Sequence, residues 1–114
     1  MALNFTFPGI DGEPVEGELR RGKYSANGTL AIVVYSKSEH GDFMEPYQTL
    51  TVNLGSDVQD DETAFIDENN CSFDLVTAIT GFGKFTDVMV PSGYCTYPAF
   101  RFDKKYIEQM TELD

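Results

Sequence analysis

Apolar residues recur at every second position over Leu3, Phe5 and Phe7, and again over Val15, Gly17 and Leu19, with Glu16, Glu18 and Arg20 on the opposite face. A two-residue period marks a strand with one buried and one wet face. It predicts a first strand ending at Pro8-Gly9 and a second from Val15 to Tyr24, paired with each other across the turn residues Ile10-Asp11-Gly12-Glu13-Pro14. Asn27-Gly28 supplies residues that accept positive φ in a tight hairpin, and the run from Thr29 to Lys37 is β-forming. Within that run Leu30 to Tyr35 is apolar on both faces, which predicts a central strand covered on one side by a helix.

Ser38 to Pro46 reads as a polar loop. Tyr47 to Leu54 alternates, with Gln48, Leu50, Val52 and Leu54 facing one way and Tyr47, Thr49, Thr51 and Asn53 the other, as on a half-exposed antiparallel strand. An Asp-rich loop, Gly55 to Thr63, leads to a short extended segment, Ala64-Phe65-Ile66-Asp67. The period then lengthens. Phe73, Val76, Ile79 and Thr80, with Leu75, Ala78 and Phe82, form one broad apolar stripe; Asn69 or Asn70 is the expected cap, and Gly81 and Gly83 the stop. Lys84 to Pro91 fits strand or loop. Tyr94 to Phe102 fits a strand, and Pro98, which cannot donate to a ladder, places it at a sheet edge. Asp103 is positioned to cap a last helix with Tyr106, Ile107, Met110 and Leu113 on its apolar face. The fold expected is α+β: an antiparallel sheet of four to six strands, one packed helix at about residues 70–82 and a short C-terminal helix, all in a single domain over residues 1–114.

Charge changes the picture. The chain has 19 acids and 8 Lys+Arg, a net charge of −11, which repels nucleic-acid phosphates and anionic lipid and so argues against direct nucleic-acid or membrane binding. Between Lys37 and Lys84 there is no Lys or Arg, while ten acids fall there. This segment is either a solvated surface or a face for a basic protein, with Asp57, Asp60, Asp61 and Glu62 as candidate contacts. An imitation of DNA phosphates that inhibits a host defence nuclease is the alternative within the binding class. The same acids lack the alternating ligands, central Gly and distal Glu of an EF-hand, and no metal site is expected. The cluster Arg20-Arg21-Gly22-Lys23 is expected to balance Glu16 and Glu18.

Catalytic chemistry finds little material. His40 stands alone in a polar loop. Cys95 has no basic residue between Pro91 and Phe100 to lower its pKa, and reads as a small buried side chain on a strand. Cys71 is expected in the first helical turn, where Asp67, Glu68 and Asp74 oppose a thiolate. Gly81-Phe82-Gly83-Lys84 follows a helix instead of opening one, the reverse of a phosphate loop. No cofactor and no catalysis are expected; a small enzyme using Cys95 or clustered carboxylates is the different-class alternative. The segment Met1 to Pro8 has no basic leader pattern, and the longest apolar run is Leu30 to Tyr35, so a cytoplasmic protein with reduced cysteines is expected.

Four segments occur together and in order: Asn27-Gly28-Thr29-Leu30-Ala31-Ile32, Tyr47 to Leu54, Ala64-Phe65-Ile66-Asp67-Glu68-Asn69-Asn70, and Ser92-Gly93-Tyr94-Cys95-Thr96-Tyr97-Pro98. In these the chain, from about Gly22 to Asp103, resembles the bacterial domain-of-unknown-function family 4313. The resemblance implies a short cytoplasmic protein of gut bacteria, often encoded beside conjugative or other mobile-element genes, and brings no activity with it. The N-terminal portion and the Ser38 to Pro46 stretch depart from the family pattern. The resemblance draws attention to Asp67, Asn69, Asn70, Gly93, Tyr94, Cys95, Tyr97 and Pro98. If the two segments lie side by side, Asp67, Asn69, Tyr94 and Tyr97 form a polar aromatic patch suited to a protein partner.

Overall fold

A computed structural model describes residues 3–9, 11–24, 30–37, 43–53 and 62–113. Among them the chain is α+β and mostly antiparallel, with its strands divided between two sheets. The first sheet runs β1 (Leu3–Pro8), β2 (Pro14–Lys23), β3 (Leu30–Lys37), β4 (Met44–Thr49). The second runs β5 (Thr51–Val52), β6 (Thr63–Ile66), β8 (Cys95–Phe102), β7 (Gly83–Ser92). Helix α1 (Phe73–Ile79) continues as a 3-10 turn over Thr80–Phe82. Helix α2 (Lys104–Ile107) precedes β9 (Thr111–Glu112), which pairs in parallel with β2 at Arg20 and Arg21, next to the point where the β1 ladder stops at Leu3 and Leu19.

The two-residue period of β1 and β2 produces the expected pairing: Leu3, Phe5 and Phe7 lie opposite Leu19, Gly17 and Val15. β3 is central, and its Leu30, Ile32 and Val34 are buried with Leu3, Phe7, Leu19, Leu75, Ile79, Phe100 and Phe102 in one core. The rings of Phe85, Phe100 and Phe102 meet edge to face at 4.9 and 4.7 Å, a geometry that aligns ring edges with ring faces. The Asn27-Gly28 turn lies outside the described residues, although the strands that flank it do pair.

Several expectations are corrected. β4 begins at Met44, inside the stretch expected to be loop; Pro46 is accommodated because β4 is an edge strand with a register shift opposite Val34 and Tyr35. The strand expected over Tyr47 to Leu54 is broken at Leu50, where the chain leaves one sheet for the other, and this buries Thr51; Leu54 lies outside the described residues. Pro98 occupies β8, a central strand. It is tolerated because the β6 ladder stops at the Phe65–Ala99 pair and the β7 ladder is interrupted between Phe85 and Met89. Glu18, expected on a wet face, is only 4% exposed because β9 and Arg20 cover it: its carboxylate accepts from Arg20 Nη2 at 3.0 Å and Thr111 Oγ1 at 2.9 Å.

The helix starts later than expected. Ser72, not Asn69 or Asn70, is the cap, its hydroxyl accepting from Leu75 N–H at 3.1 Å. Cys71 therefore precedes the helix. Ending the 3-10 turn requires Gly83: a Cβ there would stand 2.1 Å from the Arg101 carbonyl oxygen and 2.8 Å from Phe102 Cα, both backbone atoms. We expect Gly83→Ala to destabilise the fold by about 3 kcal/mol or more, since the β7–β8 ladder must part to admit the methyl. Gly81→Ala, with nothing within 4 Å, should fall within about 1 kcal/mol of wild type. Urea denaturation of the two variants checks the contrast.

Candidate functional site

The candidate site is built on the turn that joins β6 to α1. Asp67 N–H donates to the Leu50 carbonyl at 2.9 Å, and the Asp67 carbonyl accepts from Asn70 N–H at 3.2 Å and Cys71 N–H at 3.1 Å. The turn closes through its side chains as well: Asn70 Nδ2 donates to Asp67 Oδ2 at 2.9 Å. Asn70 thus braces the turn instead of capping the helix. Asp67 Oδ1 is buried without a hydrogen-bond partner, which leaves its charge to act on its neighbours.

Those neighbours are Tyr97 and the Cys71 thiol. Carrying the antiparallel β6–β8 register two residues past Phe65–Ala99 sets Asp67 beside Tyr97. Lost solvation, then the charges of Cys95 and Asp67 and a hydrogen bond with Cys95, raise the Tyr97 hydroxyl above its ordinary pKa. Cys71 is buried, and its Sγ donates to the Thr49 carbonyl at 3.6 Å. Burial first and Asp67 second push its pKa up from 9.0 to about 11. Cys95 is half-buried on β8, more open than a packed core position.

The other candidates are spread out. Glu62 is tied to β8, its carbonyl accepting from Phe102 N–H at 2.9 Å and its carboxylate from Arg101 Nη2 at 3.1 Å. Asn69 is exposed in the turn after Asp67. Tyr94 is fully exposed in the turn of the β7–β8 hairpin, where Gly93 takes φ +63. Asp57, Asp60 and Asp61 lie outside the described residues. The structure therefore brings Asp67 and Tyr97 together and sets Tyr94 at the hairpin tip. Among the described residues no group of three or more His, Cys, Asp or Glu could hold a metal ion, and no helix is long and apolar enough to cross a membrane.

A groove that the sequence reading missed lies beside this turn. Phe73, Val76 and Thr77 of α1 and Thr80 of the 3-10 turn, with Glu68, Cys71 and Phe85, line a groove of about 320 Å³. Phe73 was expected in the core stripe, yet it is 83% exposed, and Thr80 is exposed too. With Ser72 as the cap, Leu75 and Ile79 take the core side, and Phe73 falls on another face. The signal present in the sequence was the spacing 73, 76, 77, 80, a second stripe folded into the first.

The thiol chemistry is testable. At neutral pH Cys71 should alkylate roughly a hundredfold more slowly than an ordinary protein thiol, and its rate should climb about tenfold per pH unit toward pH 11. Asp67→Asn should lower the pKa of both Cys71 and Tyr97, leaving Cys71 above 9 because burial persists. Iodoacetamide kinetics and ultraviolet phenolate titration measure the two.

No curated protein and no solved structure matches the chain. The family model for the domain of unknown function DUF4313 does match, over residues 19–114, from within β2 through β9. That span is wider than the Gly22 to Asp103 resemblance and takes in α2 and β9, so the chain belongs to the DUF4313 family.

Proposed function

We propose that this chain is a non-enzymatic interaction protein that works by capturing a basic protein partner, as a cytoplasmic accessory factor of a bacterial mobile element. The observation that carries this reading is the exposure of large apolar side chains on an acidic molecule. Phe73 is left in water on α1, as are Val88, Met89 and Tyr94 on the β7–β8 hairpin. The sequence segment 38–83, which includes α1, contributes only negative formal charge. Apolar anchors within an acidic surround suit a partner rich in Lys and Arg, since the apolar contacts supply affinity and the charges supply approach rate and selectivity. The setting in a bacterial mobile element is what the family resemblance implies.

Affinity capture from a bacterial lysate, washed in parallel at low and high salt, tests the reading. The comparison variant carries Asp57→Asn, Asp60→Asn, Asp61→Asn and Glu62→Gln. A basic protein should be retained by the wild type at low salt and lost both at high salt and with the variant, because exposed charge contacts are screened over roughly 10 Å at 0.1 M salt. Capture of no protein, or of one insensitive to both changes, contradicts an acidic working surface. Release of a captured nuclease by added duplex DNA would instead identify the phosphate-imitating form of the same activity.

A further inference from the structure

Helix α1 and the 3-10 turn after it carry two stripes of the same i, i+3, i+4, i+7 spacing. Leu75, Ala78, Ile79 and Phe82 pack in or against the core. Phe73, Val76, Thr77 and Thr80 line the groove that Phe85 of β7 shares, and Val76 and Phe85, which also pack against the core, form its floor side. Its apolar surface continues along the hairpin, because Phe85 and Met89 lie opposite Phe100 and Pro98 and so face the same side; Met89 is 55% exposed. Among the described residues no cation lines the groove. Lys84 alternates away from Phe85 and sits opposite Arg101 on the other face of the hairpin. Glu68 is part of the lining, and Asp74 follows Phe73 in the first helical turn.

We infer that this groove is where the basic partner docks, with one apolar side chain seated between Phe73 and Phe85 and an adjacent Lys or Arg paired with Glu68. The inference rests on the interaction role proposed above and names its contact point. Charge selects the occupant. A second copy of this chain would bring another net charge of −11 to a groove whose one charged lining residue among the described residues is Glu68, whereas a cationic segment loses only exposed hydration and gains both the apolar contact and the carboxylate. The groove suits a single anchor residue, in the pattern by which a few well-packed side chains carry most of an interface's energy.

The probe is the end-blocked peptide Lys-Lys-Phe-Lys-Lys, titrated into isotope-labelled protein. Saturable shifts are expected at Phe73, Val76, Thr77 and Phe85. Replacing the peptide's Phe by Ser, or its four Lys by Glu, should remove them. Phe73→Ser should weaken binding at least tenfold, and Glu68→Gln severalfold. Because Phe73 is exposed, its variant should unfold at the same urea concentration as the wild type, so the loss reads on binding and not on folding. Absent shifts, or shifts of full strength in Phe73→Ser, overturn the docking site, as does sedimentation showing a dimer that Phe73→Ser dissolves. Salt-sensitive capture of a basic protein that survives Phe73→Ser would sink the groove while leaving the interaction role standing. Failure of wild-type capture sinks the role itself.

Discussion

One residue fastens the two sheets. Leu50 N–H donates to the Ile32 carbonyl of the first sheet at 2.9 Å, and the Leu50 carbonyl accepts from Asp67 N–H, just past β6 of the second, also at 2.9 Å. Its side chain is fully buried. The next residue reinforces the join: Thr51 Oγ1 accepts from Ile32 N–H at 3.1 Å and shares a 2.9 Å hydrogen bond with Tyr24. A strand that switches sheets forms a corner, and the backbone groups freed by leaving one ladder must find partners at once because the corner is dry. Here Leu50 and Thr51 provide them.

From that corner the candidate site follows. Asp67 is held by Leu50, so the turn it opens is fixed relative to both sheets, and Ser72 starts α1 at its end. Once Leu75 and Ile79 are seated in the core, the phase of the helix is set and Phe73 has nowhere to go but outward. Asp67 meanwhile reaches Tyr97 and Cys71, and its negative charge adds to the larger upward push that lost solvation gives both groups. Structure at the core thus determines which side chains are left for a partner.

How much of this was legible in the sequence depends on the range of the interaction. β1, β2 and β3 were readable because their alternation is local, and the antiparallel pairing of β1 with β2 came with it. Pro98 misled because proline's rule concerns the hydrogen bonds actually made: the β6 ladder ends one residue short of it, at Ala99, and on the β7 side it sits where pairing resumes after a register shift. The Leu50 break had no signal, since its alternation runs on unbroken while the backbone changes partner. β9 and the burial of Glu18 were likewise unreadable: a two-residue strand pairing across some ninety positions leaves no period. The Asp67–Tyr97 juxtaposition was legible only as a condition, two segments standing out together, because ladder register decides it. The groove was hidden by helical phase. Moving the cap from Asn69 or Asn70 to Ser72 separates one apparent stripe into a core face and a surface face.

Native-state amide hydrogen exchange tests the corner directly, since the slowest amides report the elements that open only on global unfolding. The amides of Ile32, Leu50 and Asp67 should exchange together, at the free energy of global unfolding, while those of the β7–β8 hairpin tip exchange far faster. Exchange at Leu50 and Asp67 as fast as at the hairpin tip would contradict the account, for the two sheets would then be joined elsewhere and the position of α1 and its groove would have another cause.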